Sequence, residues 1–225
     1  MSTDARRTAT DDGLFIVGLV GQAGSGKSTV ARALAEDGAR LIEADVLGHE
    51  ITDHDPEVRR ALSAEYGPDV YRADGTLDRA RVAARVFTDR EARGRLDALV
   101  HPRIVRAIRE RLERLRAEGF RGVVVVDAAL MLDWNLEREC DALLAIVAAE
   151  RDQLERLARE RGWSDTQARA RMAVQRAHET FRAAADVTLD NRGSLEELRH
   201  AARAAVRSLR SSRAEVRPRD GSDRC

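Results

Sequence analysis

The sequence predicts an α/β protein with a five-stranded parallel sheet at its core, and three observations carry that prediction. The apolar run Phe15-Ile-Val-Gly-Leu-Val20 has strand length and feeds Gly21-Gln-Ala-Gly-Ser-Gly26-Lys27-Ser28, after which Ser28 to Glu36 supplies helix formers. Four further runs, Arg40 to Glu43, Gly122 to Asp127, Ala142 to Ala148 and Asp186 to Leu189, are apolar without polar alternation, as strands covered on both faces are. Long helical patterns separate the runs, which is what crossovers between parallel strands require.

The segment after the first strand satisfies G-x-x-x-x-G-K-[ST] and sits between a strand and a helix, as a phosphate-binding loop does. Lys27 is the one lysine among 39 basic residues, all the others being arginine. A compact ammonium on a flexible stem reaches phosphate oxygens in a way a planar guanidinium cannot copy. The motif therefore implies a P-loop NTPase fold that takes ATP and Mg²⁺ at Gly21, Gln22, Ala23, Gly24, Ser25, Gly26, Lys27, Ser28 and Thr29. The Ser28 hydroxyl is the expected Mg²⁺ ligand.

Between Leu47 and Gly119 no strand is evident. Pro56 to Tyr66, Asp78 to Phe87 and Asp89 to Val100 read as helices, and Pro102 is expected to begin a separate helix ending near Gly119. Residues 47–119 are thus expected to be a helical, substrate-binding insert. A second helical stretch, 150–184, is expected to be a lid; Ser164 stands three residues before Gln167 in capping-box spacing. Residues 13–210 are expected to form the folded domain, with 1–12 and 211–225 as disordered termini of low apolar content. Net charge is zero with 35% charged residues, which gives no electrostatic reason to expect nucleic acid or membrane as partner. No apolar stretch reaches the ~20 residues of a membrane span, so a cytoplasmic protein is expected. Cys140 and Cys225 lack metal-ligand spacing and read as free thiols. A monomer is the expectation for oligomeric state, which the sequence leaves open.

The remaining chemistry-bearing residues cluster where strands end. Asp45 follows the second strand and Asp127 ends the third, the side on which open α/β sheets bind ligands. Asp45 reads either as the acceptor of a proton from an attacking hydroxyl or as an N-cap; Asp127 reads as catalytic, as holding Mg²⁺ through water, or as structural. In the arginine-dense second stretch, Arg156 is the guanidinium expected to meet the transferred phosphoryl group. His101, before Pro102, reads equally as an acceptor contact or as an exposed or capping residue. His49, His54, His178 and His200 are expected at the surface, and Trp134 and Trp163 as packing anchors. No second lysine exists for the N-K-x-D segment that guanine-specific GTPases use.

The ordered set Gly18 to Ala31, Leu41-Ile-Glu-Ala-Asp45, Ala73-Asp-Gly-Thr-Leu77, Leu99-Val-His-Pro102 and Ala185-Asp-Val-Thr-Leu-Asp-Asn-Arg-Gly193 resembles the dephospho-coenzyme A kinases. The resemblance spans Phe15 to Arg210 and implies an ATP-dependent kinase acting on the 3′-hydroxyl of dephospho-coenzyme A. It implies Asp45 at the catalytic centre, Arg156 in the lid, Asp190 and Asn191 near the adenine of ATP, and a helical insert over the coenzyme A moiety; with Lys27 of the phosphate loop, the expected catalytic residues are Lys27, Asp45 and Arg156. The chain departs from the family's pattern at Glu43, Ala129, Asp133 and Glu160, where aspartate, proline, glutamate and arginine are usual. The alternatives are a kinase for another small-molecule or nucleotide acceptor, and a nucleotide-dependent switch with slow ATPase activity.

Overall fold

The computed structural model describes residues 13–215. Five strands, β1 (Leu14–Val20), β2 (Arg40–Glu43), β3 (Gly122–Asp127), β4 (Ala142–Val147) and β5 (Val187–Asp190), form one parallel sheet in the order β2-β3-β1-β4-β5. Every residue of β1 and β4 is buried, as their unbroken apolar runs require. From central β1 the chain builds β2 and β3 on one side and then crosses to β4 and β5 on the other. A crevice accordingly opens at the carboxyl end of β1.

Two compact units are present: residues 13–42 with 120–215, and Glu43–Gly119. In the first, α1 (Lys27–Glu36) and α9 (Leu195–Glu215) cover one sheet face. Val30, Ala31 and Leu34 of α1 and Leu198, Ala202 and Val206 of α9 share a buried cluster with Phe15, Val17, Leu144 and Ile146. The same unit carries α6 (Glu150–Arg161), α7 (Asp165–Ala173) and α8 (His178–Ala184). Trp163 packs between α6 and α7 against Leu154, Leu157, Ala168 and Met172, and the capping box expected at Ser164 and Gln167 closes in both directions. No described helix is long and apolar enough to cross a membrane.

The sheet's register is fixed at its amino edge by two aspartates that precede strands. The Asp141 carboxylate accepts from Ile16 N at 2.7 Å while its own amide donates to Ile16 O at 2.7 Å. Asp186 repeats the exchange with Leu143, accepting at 2.7 Å and donating at 2.9 Å. Each thereby ties a strand's entry to its neighbour, and a buried amide is left satisfied.

The second unit contains α2 (Ala44–His54), α3 (Pro56–Tyr66), α4 (Arg79–Thr88) and α5 (Arg90–Ala117). Three of these begin at aspartate N-caps, Asp55, Asp78 and Asp89, whose side chains accept first-turn amides. Asp53 ties the unit together by accepting from Leu77 N at 2.9 Å and from Arg79 at 2.9 Å.

Two helices differ from the sequence expectation. Pro102 does not begin a new helix; α5 runs through it. Val100, Ile104, Ile108 and Leu112, four apart and all buried, carry one apolar stripe across the proline, and burial of that stripe outweighs one missing backbone bond. Arg103 also donates to the Leu99 carbonyl at 2.8 Å beside it. At the other end, α9 continues past 210 to Glu215 because Arg213 reaches the Asp141 carboxylate at 3.5 Å. Of the segments expected to be disordered, 1–12 and 216–225 lie outside the described residues, as does Cys225; Cys140 is buried, with its thiol 3.4 Å from Leu136 O.

Asp141→Ala leaves the Ile16 amide without its carboxylate acceptor and is expected to cost about 1–3 kcal/mol, whereas Asp141→Asn, which keeps an acceptor, costs less. Parallel thermal melts check this. Equal losses in the two variants would shift the effect to the Arg213 ion pair.

Candidate active site

The site grows from one backbone turn. β1 ends at Val20, and α1 begins at Lys27 with Gly26 as N-cap (φ 110°, ψ 12°), no capping side chain and no acidic residue in its first turn. Each carbonyl from Gly21 to Gly26 has a donor. Lys27 Nζ donates to Gly21 O at 2.8 Å and to Gln22 O at 3.3 Å. Gln153 Nε2 donates to Ala23 O at 2.7 Å, Arg156 Nη1 to Gly24 O at 3.1 Å, and Asn191 Nδ2 to Ser25 O at 2.8 Å. Gly26 O accepts from Thr29 N at 3.0 Å and Val30 N at 3.2 Å.

A trans peptide is planar, so fixing one carbonyl turns the next residue's N–H the opposite way. The Gly24, Gly26 and Ser28 amides donate to no acceptor among the described residues. With the positive end of α1 behind them, they present an anion-binding surface suited to phosphate. The glycines are required by close approach as well as by backbone angle. A Cβ on Gly24 (φ +73°) would stand 2.8 Å from Gln153 O, and one on Gly26 would stand 2.5 Å from Asn191 Nδ2.

The donors come from two elements. Gln153 (1% exposed) lies on the buried face of α6 with Leu154 and Leu157, and Arg156, half-buried, is one turn on. The Arg156 Nη2 atom also lies 3.4 Å from Asn191 O, so a single guanidinium spans the loop and the residue after β5. Asn191 is 3% exposed, and the preceding Asp190 is held at 2.5 Å by Arg182, whose hydrogen bond keeps that carboxyl below its usual range. The turn between α7 and α8 closes on the loop from another side: Gln175 Oε1 accepts from Ala23 N at 2.9 Å and Gln22 Nε2 donates to Arg176 O at 3.1 Å. Arg176 in turn bonds Asp133 at 2.9 Å.

His178, expected at the surface, is turned inward with Nε2 3.2 Å from Gln153 Oε1. Its place at the first position of α8, three residues before the buried Phe181, draws it in. Burial holds its pKa below the ordinary imidazole range although Glu179 pulls the other way.

Of the residues singled out from the sequence, the structure brings together Gly21 to Thr29, Arg156 and Asn191. Asp127 stands at the carboxyl edge of β3, in register with Leu19 two residues before the loop. Ser28 is exposed in the first turn of α1. Asp45 and His101 belong to the second unit. Asp45 is a first-turn residue of α2, whose N-cap is Glu43, so the N-cap reading of Asp45 does not hold. His101 lies on α5 with Nε2 3.4 Å from Asp97 of the preceding turn. Arg159 pairs with Glu160 at 3.3 Å, and Arg161 lies over the Trp163 ring. Sequence reasoning missed Gln153, Gln175 and His178; the available signal was a glutamine at the Leu157 stripe's i−4 position, where an apolar residue is the rule.

A profile described as dephospho-CoA kinase matches residues 15–197. The chain belongs to the dephospho-CoA kinase family. A dephospho-CoA kinase of Thermobifida fusca (strain YX) is 40% identical over 183 residues, which cover 81% of this chain and 90% of that protein. One from Frankia casuarinae is 41% identical over 186 residues, covering 82% and 79% respectively. Among solved structures, a Thermus thermophilus protein is 32% identical with a TM-score of 0.71 and covers 87% of this chain and 97% of its own. The dephospho-CoA kinase of Campylobacter jejuni, 22% identical with a TM-score of 0.61 and the same coverage, shares the fold. Within this dephospho-CoA kinase family member, Asp133 is spoken for by Arg176, and Glu43 caps no amide of α2 with its side chain.

Lys27→Arg keeps the charge but cannot place a planar guanidinium where one nitrogen now meets two carbonyls, and turnover is expected to fall by about 10²-fold or more. Steady-state kinetics on the purified variant check this. Turnover near that of the unaltered protein would remove Lys27 from the phosphate site.

Proposed function

We propose that the chain transfers the γ-phosphoryl group of ATP to the 3′-hydroxyl of dephospho-CoA, giving CoA and ADP. The observation that carries this reading is the loop Gly21–Gly26, whose carbonyls are all held by donors and whose amides of Gly24, Gly26 and Ser28 are left for phosphate, in a chain of this family.

The residues present fit ATP with Mg²⁺. Glycine is needed where α6 and Asn191 approach, and the Ser28 hydroxyl, exposed at the start of α1, is the hard oxygen donor such an ion takes. When bound, Mg²⁺ shares the charge of the phosphate oxygens. Lys27 leaves its loop carbonyls for the β- and γ-phosphate oxygens. Arg156 uses one N–H on Gly24 O and another on Asn191 O and retains further donors for the transferred group. The acceptor oxygen bonds to the γ-phosphorus as the bond to the β–γ bridging oxygen breaks, and ADP departs with that oxygen. The Asp45 carboxylate takes the hydroxyl proton. Asp190 and Asn191 border the adenine, and Asp127 and His101 serve the acceptor side. Cytoplasmic placement and a monomeric state belong to the same reading and rest on the sequence alone.

Dephospho-CoA, adenosine, AMP, shikimate and gluconate, each supplied with ATP and Mg²⁺, are expected to give efficient transfer with the first alone. Binding of the pantetheine arm is available to orient the reacting hydroxyl, so adenosine loses turnover as well as affinity. Asp45→Asn in the same assay is expected to lose about 10²-fold or more in turnover while still binding ATP. Efficient transfer to another acceptor and none to dephospho-CoA would overturn the reading in favour of a kinase of different specificity.

A further inference from the structure

The carboxamide of Gln153 is removed from water at 1% exposure, and both of its ends are bonded inside the first unit. Its Nε2 donates to Ala23 O at 2.7 Å, which leaves Oε1 to accept. His178 Nε2 lies 3.2 Å from that oxygen, so the imidazole carries its proton on Nε2 and donates it. The Ala23 carbonyl, which can only accept, decides which way the carboxamide faces, and the His178 bond holds it there. A flipped glutamine would set Oε1 against the Ala23 carbonyl oxygen, while a neutral imidazole would meet the NH₂ by carrying its proton on Nδ1. One repulsive contact would replace a bond, in a place where water cannot compensate.

What the carboxamide fixes is a peptide plane. With Ala23 O held toward α6, the N–H of Gly24 points the opposite way, to the side on which the loop presents amides to phosphate. The plane before it is held as well, since Ala23 N donates to Gln175 Oε1 at 2.9 Å. Gln175 and His178 come from one short segment, the end of the α7–α8 turn and the first residue of α8. That segment and α6 thus determine both peptides flanking Ala23, although neither contributes an atom to the loop itself.

We propose that Gln153 and His178 are a positioning pair for the phosphate loop: His178 holds the Gln153 carboxamide by satisfying its Oε1, and Gln153 aims the Gly24 amide at a bound phosphate. The proposal rests on reading the loop as the ATP site. It makes no use of the acceptor. The effect belongs to nucleotide binding and to the alignment of the transferred group, and the acceptor's own affinity is left alone.

The test compares the unaltered protein with Gln153→Leu, His178→Phe and His178→Gln. A glutamine at 178 places an amide nitrogen about as far from Cβ as imidazole Nε2, so it restores the donor without the ring. Calorimetric titration with ATP and Mg²⁺, KM for ATP and for dephospho-CoA, and thermal melting are measured for each. Gln153→Leu is expected to weaken ATP binding by about 10-fold or more, because two buried groups lose their partner. KM for dephospho-CoA is expected to stay within about 2-fold, since nothing proposed touches the acceptor. His178→Phe is expected to weaken ATP binding by about 5-fold, and His178→Gln to recover most of that loss. ATP binding unchanged in Gln153→Leu, or equal impairment in His178→Phe and His178→Gln, would overturn the proposal. If Gln153→Leu does not fold, the two His178 variants decide it. The titration needs no acceptor, so absence of transfer to dephospho-CoA would overturn the functional reading and leave this proposal to be judged by ATP binding.

Discussion

Six consecutive backbone carbonyls between β1 and α1 have to be satisfied away from the side that meets phosphate, and much of the first unit is arranged around that requirement. Of the loop's own amides, Ser25 N meets Gln22 O at 3.2 Å, while those of Gly24 and Gly26 are kept available. Donors therefore arrive from far along the chain: Gln153 and Arg156 from α6, Asn191 from the end of β5, and Lys27 from the helix the loop opens. Lys27 is compact enough to sit on Gly21 O and Gln22 O together, and its stem is long enough for the move to phosphate proposed above.

The sheet exists in the form that lets those donors converge. Asn191 reaches Ser25 because β5 pairs with β4 and β4 with β1, so that the end of β5 is level with the loop after β1. Asp141 and Asp186 fix that register at the opposite edge, each by exchanging two hydrogen bonds with the neighbouring strand. A slip of one residue would reverse the inward and outward faces of β4, which is buried on both sides, and would withdraw Asn191 from the loop. Gly18 in the middle of β1 is part of the same constraint: a Cβ there would stand 2.5 Å from Met131 Sδ and 2.7 Å from Leu143 Cδ1.

The elements were legible in the sequence where a local signal determines them. The five apolar runs become the five strands with ends shifted by at most a residue, and the aspartates before α3, α4 and α5 announce helix starts because capping involves only residues two or three positions on. The phosphate loop is legible for the same reason. What was not legible depends on partners distant in sequence. Pro102 reads locally as a helix start, and only the stripe from Val100 to Leu112 keeps α5 whole. The last turns of α9 look like polar tail until Arg213 is seen beside Asp141, 72 positions earlier by number. His178 has no spacing to any ligand or triad member, and its partner Gln153 looks like one more polar residue of a charged helix. The Asp45 position was legible, while its place inside the first turn of α2, rather than at the cap, was not.

We infer that the loop is built with its amides already turned toward the phosphates. A crystal structure of the ADP complex tests it most directly. In that complex the Gly24 and Gly26 amides are expected to donate to phosphate oxygens while Ala23 O stays on Gln153 and Ser25 O on Asn191, with Lys27 Nζ moved from Gly21 and Gln22 to phosphate. A loop in which the Ala23–Gly24 or Ser25–Gly26 peptide flips on binding, losing Gln153 or Asn191, would contradict it.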